Sequence, residues 1–335
     1  MRGVFLAIFI LLSFPFYAQE MVLTPLAGGF CKPGVINKSP SKGLYLSYFA
    51  RPRFNFTSNS GENRSTSRAG INDRINIKLK APIINKENFK FLIGAAHMRE
   101  EYEFQRIDGS PSNIFSSINS QTLKTSRLSA YFLKSINNRL YATLKLEASY
   151  NGDYDNLIDF GNRYAIYRGA FLMGYKPRPD TEWGFGGMFS KGFRRTRVYP
   201  FVMYNKTFNE NWGLETILPV KIMMRYNISP SNLVLFGTQF NSRSYSIDVF
   251  GADGGDPSSD IYHMRSSEIQ FNVEFQQRIS KWVWLEAKAG YAKNFTSRFD
   301  RISPVRQENF ITADPSSGPF FQFGIFVSPP RDCER

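Results

Sequence analysis

The stretch "RLYATLKLEASY", residues 139–150, alternates without a break. Leu140, Ala142, Leu144, Leu146, Ala148 and Tyr150 fall on one side; Arg139, Tyr141, Thr143, Lys145, Glu147 and Ser149 fall on the other. A two-residue period puts successive side chains on opposite faces of a β-strand, whereas a helix would scatter the same charges around its circumference. The segment therefore reads as a strand with one apolar and one polar face. The same pattern returns where Ile269, Phe271, Val273, Phe275, Gln277 and Ile279 alternate with Glu268, Gln270, Asn272, Glu274, Gln276 and Arg278. Residues 74–80 and 320–327 repeat it.

Aromatic residues make up 16% of the 335-residue chain, with 32 Phe and 17 Tyr, yet mean hydropathy is slightly negative at −0.32. A soluble protein this aromatic would show continuous apolar core segments. A membrane barrel instead places its apolar residues at alternate positions facing lipid. After residue 20 no stretch reaches the apolar length of a membrane helix. Turn residues at 136–138, 176–181, 209–211, 229–232 and 280–281 mark short connections. They alternate with longer polar stretches at 57–67, 105–120, 151–161, 251–262 and 296–314, expected to be outer loops.

The expected fold is all-β: an antiparallel, up-and-down transmembrane β-barrel over residues 43–328, with about 14 strands, 12 being possible. The ambiguous stretch is Trp212–Tyr226, where Pro219 marks either a tight outer turn between two short strands or a bulge in one long strand. Parity of the neighbouring turns favours two strands. Alternation aims Lys145, Glu147, Glu268, Glu274, Arg278, Glu286 and Lys288 into the lumen, where opposite charges can pair around water. Trp183, Trp212, Trp282 and Trp284 lie near the short turns and are expected to form an interfacial girdle at the periplasmic end.

Residues 1–18 carry a positive charge at Arg2 and an apolar run from Val4 to Leu12, the pattern of a signal peptide. Pro15, Gln19 and Glu20 close the run too early for a spanning helix. Residues 19–42 then form a periplasmic N-terminal segment, and residues 329–335 a periplasmic tail. Cys31 and Cys333 bracket the barrel in a compartment that permits disulfides, and neighbouring first and last strands allow a bridge between them. Two unrelated thiols are the alternative.

The stretch "FNENWGLETILPVKIMMRYNISPSN", Phe208 to Asn232, resembles the most recognisable segment of an uncharacterised Bacteroidetes outer-membrane β-barrel family, a domain of unknown function. The matching residues are Trp212, Gly213, Leu214, Glu215, Leu218, Pro219, Arg225, Tyr226 and Asn227. The resemblance implies fold and envelope location; it implies no substrate.

Catalytic constellations are sparse. The two histidines are His97, at a strand end, and His263, in "YHMRSSE" beside Ser266, Ser267 and Glu268. That run lacks the spacing of the outer-membrane lipid hydrolases, so a hydrolase is the least favoured reading and no enzyme is expected. Asp248, Asp253, Asp256 and Asp260 lie in a glycine-rich loop without the spacing of a calcium motif, and a solvated loop is the simpler reading. No metal or cofactor is implied. The net charge of +14 is spread over strands and loops without a compact basic motif, which argues against nucleic acid. Outer-membrane lipid and lipopolysaccharide are the expected partners, with small solutes for the lumen. Two functional expectations stand side by side: a passive pore or small-solute transporter, and a structural or interaction barrel with a plugged lumen and partner-binding loops. Oligomeric state has no signature in the sequence.

Overall fold

Alternating side chains need two different environments, and sixteen strand segments arranged in one sheet supply them. The computed structural model describes residues 34–60, 63–109, 112–156, 162–193, 195–250, 260–302 and 310–328. The first strands are β1 (Leu44–Ser60), β2 (Asn63–Asn85), β3 (Phe89–Arg106), β4 (Leu123–Ser135) and β5 (Leu140–Gly152). Then come β6 (Ala165–Arg178), β7 (Thr181–Gly192), β8 (Arg195–Thr207), β9 (Trp212–Leu218) and β10 (Lys221–Ser229). Last are β11 (Asn232–Val249), β12 (Asp260–Arg278), β13 (Val283–Asn294), β14 (Ser297–Arg301), β15 (Phe310–Pro315) and β16 (Gly318–Val327). One helix, α1 (Ser112–Ser120), lies between β3 and β4.

The sixteen segments make fourteen barrel strands. β12 pairs with β13 through Glu268–Arg278 and with β14 through Tyr262–Arg265, so β13 and β14 occupy one position in the wall. β1 likewise pairs with β16 and then, farther out, with β15. Antiparallel pairing from Leu44 opposite Val327 to Ala50 opposite Phe321 closes the cylinder. Both ends of the barrel chain lie at this seam, at what we call the periplasmic end. Among the described residues no helix is long and apolar enough to cross a membrane, so the strands are what can span one.

An apolar residue stands exposed on every wall strand: Leu46, Ile77, Ile93, Leu128, Leu146, Phe171, Phe185, Val202, Ile217, Ile222, Phe236, Phe271, Leu285 and Phe323. Such a continuous apolar surface on a closed barrel belongs in lipid. On the inner face the same strands bury Glu147, Ser149, Glu215, Arg225, Glu268, Asn272, Glu274 and Glu286.

Several expected boundaries change. The stretch 57–67 continues β1 and β2 almost to the hairpin tip, with Ser58 and Ser65 hydroxyls 2.7 Å apart on adjacent strands. Its inward positions are small and polar, which removed the apolar signal without breaking the ladder. Residues 105–120 contain α1, and 296–314 contain the β14–β15 hairpin. Pro219 and Val220 form a tight turn between β9 and β10, so Trp212–Tyr226 is two strands. The proposed signal peptide, both cysteines and the C-terminal tail lie outside the described residues.

The tryptophans divide. Trp183, Trp212 and Trp282 are exposed on the outer surface, but Trp284 is only 7% exposed and stacks on Phe326 inside the barrel. Trp284 shares its face with Glu286 and Lys288, so the alternation that aims those charges inward aims this indole inward too. It is not a girdle residue. Quenching of tryptophan emission by brominated lipid should therefore fall when Trp183, Trp212 or Trp282 is replaced by Phe, and stay the same for Trp284→Phe. Efficient quenching of Trp284 would place that indole on the wrong side of the wall.

Candidate functional site: the barrel interior

The interior is built in three tiers, each from residues that a different set of strands turns inward. At the periplasmic end it is ionic. Glu147 receives Lys145 at 2.6 Å, Arg168 at 2.8 Å and Arg127 at 3.3 Å. Glu274 pairs with Lys288 at 2.9 Å, and Lys42 reaches in between Glu274, at 3.4 Å, and Glu286. Tyr45 donates its hydroxyl to Glu286 at 2.8 Å. Arg127, Lys145 and Arg168 keep 29–35% of their side-chain surface exposed, so water enters this tier. Arg278, at the rim, donates from Nη2 to the Ser231 hydroxyl at 2.9 Å and covers the Trp284 ring.

Residues 34–42 arc along the inner wall of this tier. The Gly34 amide donates to Glu182 at 2.7 Å, and the Thr207 hydroxyl donates to the Ile36 carbonyl at 2.7 Å. Ser39 donates twice to Glu215, from its amide at 2.9 Å and its hydroxyl at 2.8 Å. The Asn227 amide holds the Asn37 carbonyl at 3.2 Å. Contacts thus run from β7 and β8, across the β9–β10 hairpin, to β12 and β13, and the segment lines the mouth like a collar.

This collar gives the Trp212–Asn227 motif a physical meaning. Arg225 is fully buried and donates to Glu215 at 3.2 Å and Thr207 at 3.0 Å. A Cβ at position 213 would collide with its guanidinium, so glycine is the residue that makes room. Trp212 packs on Tyr226 with ring centroids 4.7 Å apart. The short β9–β10 hairpin therefore carries the clamp for the N-terminal segment.

The middle tier is a closed ion network. Glu100 is fully buried and accepts hydrogen bonds from Tyr245 at 2.6 Å, Tyr102 at 3.0 Å and Asn72 at 3.2 Å. Arg243 lies 3.4 Å from Glu100 and grips Glu268 with two donors at 3.1 and 3.3 Å. Arg74 stands between the two carboxylates at 3.9 Å from each, its guanidinium over the Phe49 ring.

The outer tier is dry. Phe54, Phe56, Tyr102, Ile114, Phe115, Ile118, Leu123, Tyr245, Ile247, Val249, Tyr262, Met264 and Phe299 form one apolar cluster. β11 makes this possible: it parts from β10 after Gln239 while staying paired with β12 as far as Val249 opposite Asp260. Tyr245, Ser246 and Ile247 are buried in succession, which needs cover on both faces of the strand. Ser246 pairs with Gly152 of β5, a strand from the other side of the barrel. α1 adds Ile114, Phe115 and Ile118 from above. A packed plug therefore closes the extracellular end.

All seven expected lumen charges sit on the inner face, in the lower and middle tiers. Arg74, Glu100, Arg243, Glu182, Glu215, Arg225 and Lys42 were not expected there. Around Glu100 the sequence "HMREEYEFQR" puts charges on both faces, so parity alone does not tell inside from outside. His263 stacks on Phe193 with centroids 4.4 Å apart, and in an extended strand it points away from Ser266 and Glu268; Glu268 is taken by Arg243. His97 bonds Ser126 at 2.9 Å. Of the loop aspartates, Asp248 pairs with Arg163 at 2.6 Å and Asp260 with Arg301 at 2.7 Å. Asp253 and Asp256 lie outside the described residues.

Residues 43–321 match the family described as "Domain of unknown function (DUF6268)". The chain belongs to this family. The match spans the wall from the residue before β1 into β16 and includes the clamp motif. No curated protein matches. Among solved structures, a FadL homologue of Pseudomonas aeruginosa is similar with TM-score 0.43 and 9% identity, over 85% of this chain and 89% of that one. The Pseudomonas putida toluene transporter TodX gives 0.31 and 8%, over 85% and 89%. The outer membrane protease OmpT of Escherichia coli gives 0.23 and 6%, over 87% and 99%. At such scores these likenesses assign neither solute nor reaction to the family.

Two outcomes follow from the network. Glu100→Ala leaves two guanidiniums and two phenols facing a void, a loss of about 3–5 kcal/mol for a broken buried ion network. It should lower the unfolding midpoint far more than Glu101→Ala, whose carboxylate is exposed; equal midpoints would sink the role given to Glu100. At the rim, burial pushes the Asp153 carboxyl up despite the hydrogen bond it accepts from the Asp248 amide, and the nearby Asp248 carboxylate pushes it further. An acid with a raised folded-state pKa stabilises most below its unfolded value and loses that contribution as pH rises through the folded value. Hydrogen-exchange protection of residues 150–156, corrected for intrinsic exchange, should therefore weaken from acid toward neutral pH, and Asp153→Asn should abolish the trend.

Proposed function

We propose that this chain is an outer-membrane barrel that passes small solutes and is shut at rest by its outer plug. The supporting observation is the contrast between tiers: a water-reached, ion-lined vestibule below and a packed apolar stopper above. A closed strand wall with an apolar belt is the form in which strands span an outer membrane, and export through the 1–18 signal peptide fits that location. The Bacteroidetes origin implied by Phe208–Asn232, and contact with outer-membrane lipid and lipopolysaccharide, belong to the same proposal. No catalytic role is assigned to any residue.

Solute passage requires the plug to move. Phe115, fully buried on α1, packs against Phe56, Phe104 and Phe299 with centroids 5.1–6.3 Å apart. Its loss would loosen the stopper while leaving the strand ladder intact. In planar bilayers the native protein should be silent or nearly so, and Phe115→Ala should show persistent ohmic current. Silence from both, with the barrel folded on unboiled gels, would favour the rival: a structural barrel whose loops bind envelope partners. Full conductance in the native protein would overturn the plug as a gate.

A further inference from the structure

The wall is lowest at β9 and β10. β9 has seven residues, and at about 3.3 Å per residue and a tilt of roughly 40° it rises about 18 Å, short of an apolar band of about 25 Å. Above the Pro219–Val220 turn, β8 continues from Phe201 to Arg195 with β7 on one side and no described strand on the other. β11, which would have been its neighbour across this gap, stays on β12 and meets β5 at Ser246 opposite Gly152 instead. A gap in the ladder is left beside β8, here called the cleft, with Val198 70% exposed on the outer face of that strand.

The chemistry of the cleft differs from that of the belt. Arg195, Arg197 and Tyr199 lie on the inner face of β8, opposite the face that carries Val198 and Val202. Across from them, Phe193 stacks on His263 of β12, and Arg265 of β12 lies 3.3 Å from Asp300. Arg195 approaches the same Asp300 Oδ2 at 3.6 Å, yet that oxygen makes no hydrogen bond, and Arg298 already pairs with the other oxygen. Arg197 is close enough for its charge to act on Arg265. Arg195, Arg265 and Arg298 therefore share one carboxylate, which bonds neither Arg195 nor Arg265 in hydrogen-bond geometry, with Arg197 as a further charge beside Arg265.

We propose that this cleft binds the phosphate of an outer-leaflet lipid, a phosphomonoester headgroup gripped by Arg195, Arg197 and Arg265 with its acyl chains lying outside over Val198. Planar guanidiniums match phosphate oxygens two at a time, and the site stands where an apolar band gives way to headgroups. The assignment rests on the lipid-facing outer wall and is independent of whether the lumen conducts.

Native mass spectrometry of the folded, full chain in neutral detergent can test it with three probes: dihexanoyl phosphatidic acid, dihexanoyl phosphatidylcholine and inorganic phosphate. We expect phosphatidic acid to be retained and phosphatidylcholine not. Retention should fall about tenfold or more in R265Q and in R195Q, the loss of a charge-assisted hydrogen bond, and should not change in K86Q at the opposite end. If R265Q does not fold, R195Q and R197Q, on the open strand, carry the comparison. Equal retention of phosphatidylcholine, or retention untouched by the arginine variants, would overturn the site. Inorganic phosphate bound as tightly as phosphatidic acid would overturn the lipid and leave a free-anion site.

Discussion

Backbone hydrogen bonding in a medium without water is the constraint from which the rest follows. An amide or carbonyl left unpaired in hydrocarbon costs several kcal/mol, so a strand-built protein survives there only when its sheet meets itself. Here the meeting is β1 against β16, seven residue pairs from Leu44–Val327 to Ala50–Phe321. Closure sets the parity of every strand, and parity decides which side chains meet lipid and which meet one another. The apolar belt and the ionic interior are two readings of the same register.

Closure alone would leave a wide interior, and the chain fills it from both ends with its own material. At the periplasmic end the filler is polar: residues 34–42 lie against Glu182, Glu215, Glu274 and Glu286, carboxylates buried beneath them. At the extracellular end it is apolar, made where β11 parts from β10 to meet β5 and α1 lies over it. Between them Glu100 and Glu268 hold Arg74 and Arg243, and the pull of that network on Arg243 and Tyr245 holds β11 in place. The parting of β11 from β10 is also what leaves β8 without a neighbour, so plug and cleft have one structural cause.

The strand pattern was legible because half of each strand faces lipid, and lipid enforces alternation over Leu140–Tyr150 and, save for Gln277, over Ile269–Ile279. Where that pressure lapses, legibility lapses too. Beyond Phe56 the β1–β2 hairpin bears small polar residues on its inward side, and its strands look like a loop although the ladder runs on. Tyr245, Ser246 and Ile247 are buried in succession, a pattern no single alternating face can announce. Residue type points Trp284 to the girdle, whereas the register it shares with Glu286 and Lys288 puts it inside. The Glu100 network was hidden for another reason. Its members come from β2, β3, β11 and β12, and only closure brings those strands face to face.

At the open edge of β8 the wall breaks the rule that shapes the rest, and its residues show how the breach is tolerated. Pro200 sits opposite Gly187 in an intact ladder with β7, which requires its nitrogen to point away from β7 and toward the gap. A position that would have exposed an unpaired N–H has none to expose. Farther out, Arg195, Thr196 and Arg197 would stand at headgroup height, where water and phosphate can satisfy backbone and side chains alike. The edge is therefore stripped of a donor where it is greasy and charged where it is wet. Where the ladder stops, Asp300 of β14 draws Arg195 of β8 and Arg265 of β12 together at 3.6 and 3.3 Å, so charge spans a gap that backbone hydrogen bonds do not.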